Sequence, residues 1–265
     1  MSKNIACGVV VAVLLVLWPA VALAQATKDR EAKQMFLMEE YFVFPDKAEE
    51  FEALTKEMTG VFATHDFPFR FATYKMDDLR YLGMWLIDGT AGIDALHAAW
   101  YALVEEWGEE NATPWAEQFN ATMSHWKSSV WKTRPDLSYM PENQADPFAY
   151  IVQGVLPIKP GHQKRVEVLF REYVKVFAEH AVPHAWRAAE GFIGVDNPTL
   201  AFVEWSATPG SYWLRHDENM KNEELSKKTD ALWQEMLPHI RGFDWVAGWY
   251  RKDLSYRPEK KEQGN

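Results

Sequence analysis

The chain has 265 residues, 48% of them apolar, with 38 acidic against 28 basic side chains and a formal charge of −10. With no basic stripe to neutralise phosphates, that balance excludes nucleic acid as a partner. The one cysteine, Cys7, precedes an N-terminal apolar run, so the folded part has no thiol. Disulfides, thiolate nucleophiles and cysteine-ligated zinc or iron–sulfur centres are excluded together.

Residues 1–24 carry a lysine near the start, an apolar stretch from Val9 to Trp18 and a small-x-small end at Ala22-Leu23-Ala24. This is the layout of a cleavable export signal, and it predicts a periplasmic or secreted protein with no permanent membrane span after cleavage. An uncleaved anchor is the alternative. A strand is expected over 36–44, then a helix whose apolar residues Phe51, Leu54, Met58, Val61 and Phe62 fall on one face. His65 and then Pro68 follow, and the proline stops the helix. "PFRFATYKM" turns through Asp77-Asp78 into "LRYLGMWLI", a strand pair. A helical region over 91–122, interrupted near Pro114, leads to an aromatic strand over 124–132.

The same order then repeats. "FEALTKEMTGVFATHDFPF" (51–69) lies on "VEVLFREYVKVFAEHAVPH" (166–184) at a constant offset of 115, with His180 and Pro183 matching His65 and Pro68. Further on, Trp85 aligns with Trp205 at offset 120 and Trp126 with Trp245 at offset 119, and "DLSYMPE" (136–142) returns as "DLSYRPE" (253–259) at offset 117. The second copy has strands over 149–158 and 243–252, a hairpin turning at Asp196-Asn197-Pro198, and a helical region over 209–237 interrupted near Pro238. The expected organisation is a first βαββαβ lobe over 35–139, a polar, proline-bracketed linker over 140–147, a second lobe over 148–256 and a polar tail over 257–265.

Strand stretches such as "YFVF" and "LGMWLI" are apolar at consecutive positions, which requires both faces of the sheet to be covered. Helices cover one face; the other lobe's sheet is the economical cover for the second. Two such units packed sheet to sheet resemble the dimeric α/β-barrel superfamily, with its antibiotic-biosynthesis monooxygenase-like and NIPSNAP-like members, here as a tandem duplication in one α+β chain. The resemblance rests on element order and duplication. It implies a pocket in each lobe between sheet and helices, suited to a small apolar or aromatic molecule. Relatives include cofactor-free oxygenases, haem-handling proteins, isomerases and proteins without a known role, so the fold selects no activity.

No G-x-G-x-x-G after a strand, P-loop, H-E-x-x-H or G-x-S-x-G occurs, which argues against nucleotide enzymes, zinc proteases and ordinary α/β-hydrolases. Ser138 and Ser255, in the repeated tails, are read as turn formers. The histidines follow the repeat: His65 and His180 end the first helix of each copy, while His97 and His216 begin the second. Strand direction places each pair at one end of its lobe, with Trp85, Trp205, Glu204 and His184 toward the same edge. Three readings stand: helix-capping imidazoles, bases or donors toward a ligand, and metal or haem ligands. On the second, His65 or His180 abstracts a proton, Arg70 or Arg187 steadies negative charge, and Trp85, Trp205, Tyr74 and Trp186 hold the substrate. No organic cofactor is expected, with haem or a metal as the outside option, and the protein is a monomer or a homodimer. Glu39, Glu40, Gln153, Arg70, Arg187 and Glu204 interrupt apolar strands and must form ion pairs or line a polar pocket. Arg187 and Glu204 are candidates to face each other across their hairpin.

Overall fold

The computed structural model describes residues 34–141 and 148–258. The export signal and most of the linker and the tail lie outside them. The first lobe runs β1 (Gln34–Val43), α1 (Ala48–Thr64), β2 (Phe71–Met76), β3 (Arg80–Asp88), α2 (Ala91–Trp107), α3 (Glu109–Ala121) and β4 (Met123–Thr133). The second runs β5 (Tyr150–Pro157), α4 (Gln163–Glu179), β6 (Trp186–Ile193), β7 (Thr199–Ser206), α5 (Pro209–Lys221), α6 (Glu223–Met236) and β8 (Asp244–Tyr250). Each helical region that the sequence marks as interrupted is a pair of helices. In the first lobe the break falls at Gly108, whose φ of 93° suits glycine, and Pro114 sits inside α3. In the second lobe it falls at Asn222, whose side chain caps α6 by accepting from the Leu225 amide.

The strands close into an antiparallel barrel in the order β1-β3-β2-β8-β5-β7-β6-β4. Each lobe contributes four neighbouring strands, and the two sheets join edge to edge through β2–β8 and β4–β6. Closure leaves no open sheet edge. One face of the sheet points into the barrel and much of the other lies under the helices, which accounts for the consecutive apolar residues, although residues 124–128 at the start of β4 stay exposed.

The repeated tails are exchanged between lobes. After β4 the chain crosses to the second lobe, where Leu137 is fully buried, Tyr139 bridges Trp186, and the Ser138 hydroxyl accepts from the Ala188 amide while donating to the Arg134 carbonyl. After β8 the second tail makes the same connections in the first lobe: Leu254 is 1% exposed, Tyr256 bridges Phe71, and Ser255 accepts from Thr73 and donates to Arg251. Arg134 pairs with Asp136 and reaches Glu167 on α4; Arg251 pairs with Asp253 and reaches Glu52 on α1. The duplicated DLSY sequence is thus a reciprocal clamp.

The pairings also correct the alignment of the two copies. Phe71 and Trp186 both receive the partner tail, and they face Trp85 and Glu204. Glu204 therefore stands where Trp85 does, and Trp205 lies one residue further on, pointing into the barrel. A one-residue slip reverses the face of a strand residue, so the two tryptophans are not equivalent. Likewise Leu37 faces Val130 as Val152 faces Ala247, so the tail offset of 117 already holds in the last strand. Arg187 pairs with Val203, not Glu204, and the two charged side chains project from opposite faces.

Candidate functional site

A cavity of about 300 Å³ lies in the first lobe between the sheet and α1, α2 and α3. Two small residues distinguish this lobe from the other, Thr55 on the cavity wall and Gly83 beneath the rings of Phe71 and Tyr41. Thr55 on α1 and Gly83 on β3 occupy the positions taken in the second lobe by Phe170 and Phe202, whose rings lie 6.0 Å apart. Phe202 also stacks on Phe243 at 6.3 Å, and its ring closes over Gly154. The equivalent volume in the second lobe is thus filled by aromatic side chains. Of the two pockets the resemblance implies, the first lobe keeps one between sheet and helices; a second cavity, of about 190 Å³, lies inside the barrel.

The walls of the first-lobe cavity are aromatic, and Trp85, Trp100, Trp115 and Trp126 all contribute. Trp85 packs on Phe71 at 4.4 Å and Trp115 stacks on Phe119 at 4.8 Å. The indole N–H of Trp115 is anchored on the Leu54 carbonyl. Such rings present flat apolar faces and keep their few polar atoms occupied. Glu39 is the cavity's carboxylate. Its Oε2 accepts from the Tyr41 hydroxyl at 2.5 Å and from the Trp85 indole at 3.1 Å. Among the described residues no donor reaches its Oε1. Burial, reinforced by the adjacent Glu39 charge and the hydrogen bond to it, pushes the Tyr41 phenol well above its usual range, so Tyr41 remains a donor at neutral pH. His97, exposed on α2, stands at the same cavity.

The remaining sequence candidates are dispersed. His65 caps α1, and its Nδ1 pairs with Glu106 on α2 at 3.0 Å, away from the cavity lining. His180 caps α4 with Nε2 3.4 Å from Lys228. His216 is exposed on α5 beside Trp213. None of the three faces either cavity, so the expected grouping of His65 with His97 and of His180 with His216 does not form. Trp186 is core: it is 5% exposed and its indole donates to the Leu137 carbonyl. His184 and Glu204 do meet, at 3.5 Å, in a buried group completed by the Tyr212 hydroxyl 2.5 Å from the same carboxylate oxygen. Burial opposes ionisation of Glu204, but the adjacent His184 imidazole, the Tyr212 hydrogen bond and the His216 imidazole on α5 prevail and hold it below the usual carboxylate range. Burial, then the Glu204 charge, pushes Tyr212 far up.

Arg70, Tyr74 and Arg187 line the other cavity, inside the barrel, and Trp205 lies in the same interior cluster, its ring tilted against Phe148 at 5.0 Å. The sheet thus separates both arginines from the histidines with which the sequence reading grouped them. Glu39 and Tyr41 were the residues hardest to find from sequence. Glu39 is conspicuous as a carboxylate in an apolar strand, but only the register shows that it faces the helices while Glu40, one residue on, faces the barrel and pairs with Arg80 at 2.6 Å.

No protein-family model matches the chain, and no curated protein matches it in sequence. Solved structures do match in fold. An anthrone oxidase-like protein is 13% identical with a TM-score of 0.56, covering 83% of this chain and 92% of its own. A candidate monooxygenase from Lactobacillus acidophilus NCFM is 9% identical with a TM-score of 0.52, covering 85% and 97%. A mutant chlorite dismutase from Candidatus Nitrospira defluvii is 11% identical with a TM-score of 0.51, covering 84% and 93%. At these identities the likeness concerns the fold: a dimeric α/β barrel, with both halves in one polypeptide.

Proposed function

We propose that this protein is an exported, periplasmic or secreted, binder of a small flat aromatic compound, and that it oxidises that compound with dioxygen without an organic cofactor. The observation that carries the reading is a single carboxylate in an aromatic chamber, anchored through one oxygen by Tyr41 and Trp85. A cavity of about 300 Å³ is at the lower end of the range for small-molecule sites and takes a fused-ring compound in preference to an extended one. In this scheme Glu39, not His65 or His180, is the base. It takes an acidic methylene or phenolic proton from the ligand, and the Tyr41 and Trp85 donors keep the carboxylate oriented. The deprotonated ring system reacts with dioxygen: a methylene becomes a carbonyl, and the second oxygen atom leaves as water. The tryptophans hold the ring and exclude water.

Haem, the outside option, fits this cavity poorly. Among the described residues lining it there is no lysine or arginine to pair with propionates, and its one imidazole, His97, is exposed on α2. No group of three His, Asp or Glu side chains suited to a metal ion occurs among the described residues.

Anthrone, suggested by the name of one structural neighbour, is the first compound to try. Binding is followed by tryptophan fluorescence and turnover by oxygen uptake. Glu39→Gln is expected to lower turnover by about 100-fold or more while leaving binding within a few-fold. Binding without turnover in the unaltered protein would reduce the reading to a non-catalytic carrier. Failure of anthrone and simple naphthols to bind would remove it.

A further inference from the structure

The second cavity, of about 190 Å³, is enclosed by the barrel itself. Its wall is largely apolar, with Phe36, Met38, Leu82 and Met84 from one lobe and Ile151 and Ala201 from the other. Arg70 and Arg187 stand at one mouth, the end formed by the starts of β2 and β6. Those two strands are four places apart in a ring of eight, so the guanidinium groups approach from opposite walls.

Two features make this mouth unusual in an acidic protein. First, the cavity lining contains no aspartate or glutamate among the described residues, although the chain has 38 acidic residues. Second, neither arginine makes an ion pair or a hydrogen bond among the described residues, whereas Arg80, Arg134, Arg165, Arg171 and Arg251 are all paired with carboxylates. Arg187 lies over the Trp205 ring at 5.9 Å, which orients it without neutralising it. Both arginines act on Tyr74 deeper in the cavity: burial raises its phenol to about 12, and the two guanidinium charges oppose that rise. Each lobe contributes one arginine, but not at equivalent positions. Arg70 corresponds to Ala185 and Arg187 to Ala72, so duplication alone does not explain the pair.

We propose that the barrel interior is a binding site for a small amphipathic carboxylate, its anionic end held between Arg70 and Arg187 and its apolar body lying among Phe36, Met38, Met84 and Ile151. Guanidinium forks match carboxylate geometry, and an otherwise unpaired cation at an apolar mouth selects for a ligand that carries the missing charge. An apolar cavity of about 150 Å³ takes benzene, so this one suits an apolar body of about 7–8 non-hydrogen atoms, with the carboxylate outside it at the mouth. The site is independent of the first-lobe cavity, from which the sheet divides it.

The test is calorimetric titration of the full chain with octanoate and 3-phenylpropanoate, alongside uncharged 1-octanol. One saturable site is expected for each acid, with 1-octanol at least 10-fold weaker. Arg70→Gln and Arg187→Gln should each weaken octanoate about 10-fold, and the double variant should abolish measurable binding. Arg257→Gln, which removes the same charge from the tail, should leave binding unchanged. Thermal unfolding checks that the variants fold; both arginines are exposed, and neither gives up an ion pair or a hydrogen bond among the described residues. Thr55→Phe, which fills the first-lobe cavity, should leave octanoate binding intact, separating this site from the one proposed above. Absence of saturable acid binding, equal affinity for 1-octanol, or unchanged binding in the double arginine variant would each overturn the proposal.

Discussion

The exchanged tails make a prediction that neither lobe considered alone would make. Leu254 is 1% exposed and packs with Val43, Phe51, Tyr81 and Met123, all first-lobe residues. Leu254→Ala removes three buried carbons, worth about 2.4 kcal/mol by transfer at roughly 0.8 kcal/mol each. The rings of Phe51 and Tyr81, 4.6 Å apart, are held by neighbours and collapse little into the gap, so a cavity term brings the expected loss to about 3–4 kcal/mol. Urea unfolding gives the total. Native-state hydrogen exchange gives the location: although Leu254 belongs to the second repeat, protection should fall first in α1 and β3 of the first lobe. Leu137→Ala should produce the mirror result, lowering protection in α4 and β6. A loss below about 1 kcal/mol, or exchange increasing first in the lobe that contributes the leucine, would refute the clamp as a source of stability.

Thr55→Phe should copy the filled second lobe into the first. It is expected to abolish aromatic binding while changing stability by less than about 3 kcal/mol in either direction, measured by titration and urea melts. Burial works against ionisation of Glu52, but hydrogen bonds from Arg251, Tyr81 and Lys75 hold it down to about 2. Because its folded pKa lies below the unfolded one, its contribution is complete above about pH 4.5 and disappears as pH falls toward 2; after allowance for screening, Arg251→Gln should remove about 1–2 kcal/mol of that acid-dependent stability. Tyr212→Phe takes the hydroxyl from Glu204 in the buried His184 group and should cost about 1–3 kcal/mol, with Glu204 titrating higher by NMR.

What the sequence determined was the repeat and its consequences. Phe51, Leu54, Met58 and Phe62 form an apolar stripe whose period fixes a helix, and the matching stripe at Val166, Leu169 and Phe177 fixes the second. The doubly apolar strands required cover on both faces, and a second copy in the same chain was the available cover. The repeated DLSY tails were visible, but their exchange was not, because a tail's sequence does not say which of two equivalent lobes receives it. The site was decided by register and side-chain volume. Trp85 and Trp205 look equivalent in sequence and are not, since one residue of slip turns a strand side chain from helices to barrel. Glu39 and Glu40 are adjacent and identical, yet one lies in an aromatic chamber and the other pairs with Arg80. The lobe with the cavity has Thr55 and Gly83 where the filled lobe has Phe170 and Phe202, four residues far apart in the chain whose volumes meet only once the sheet and helices have closed over them.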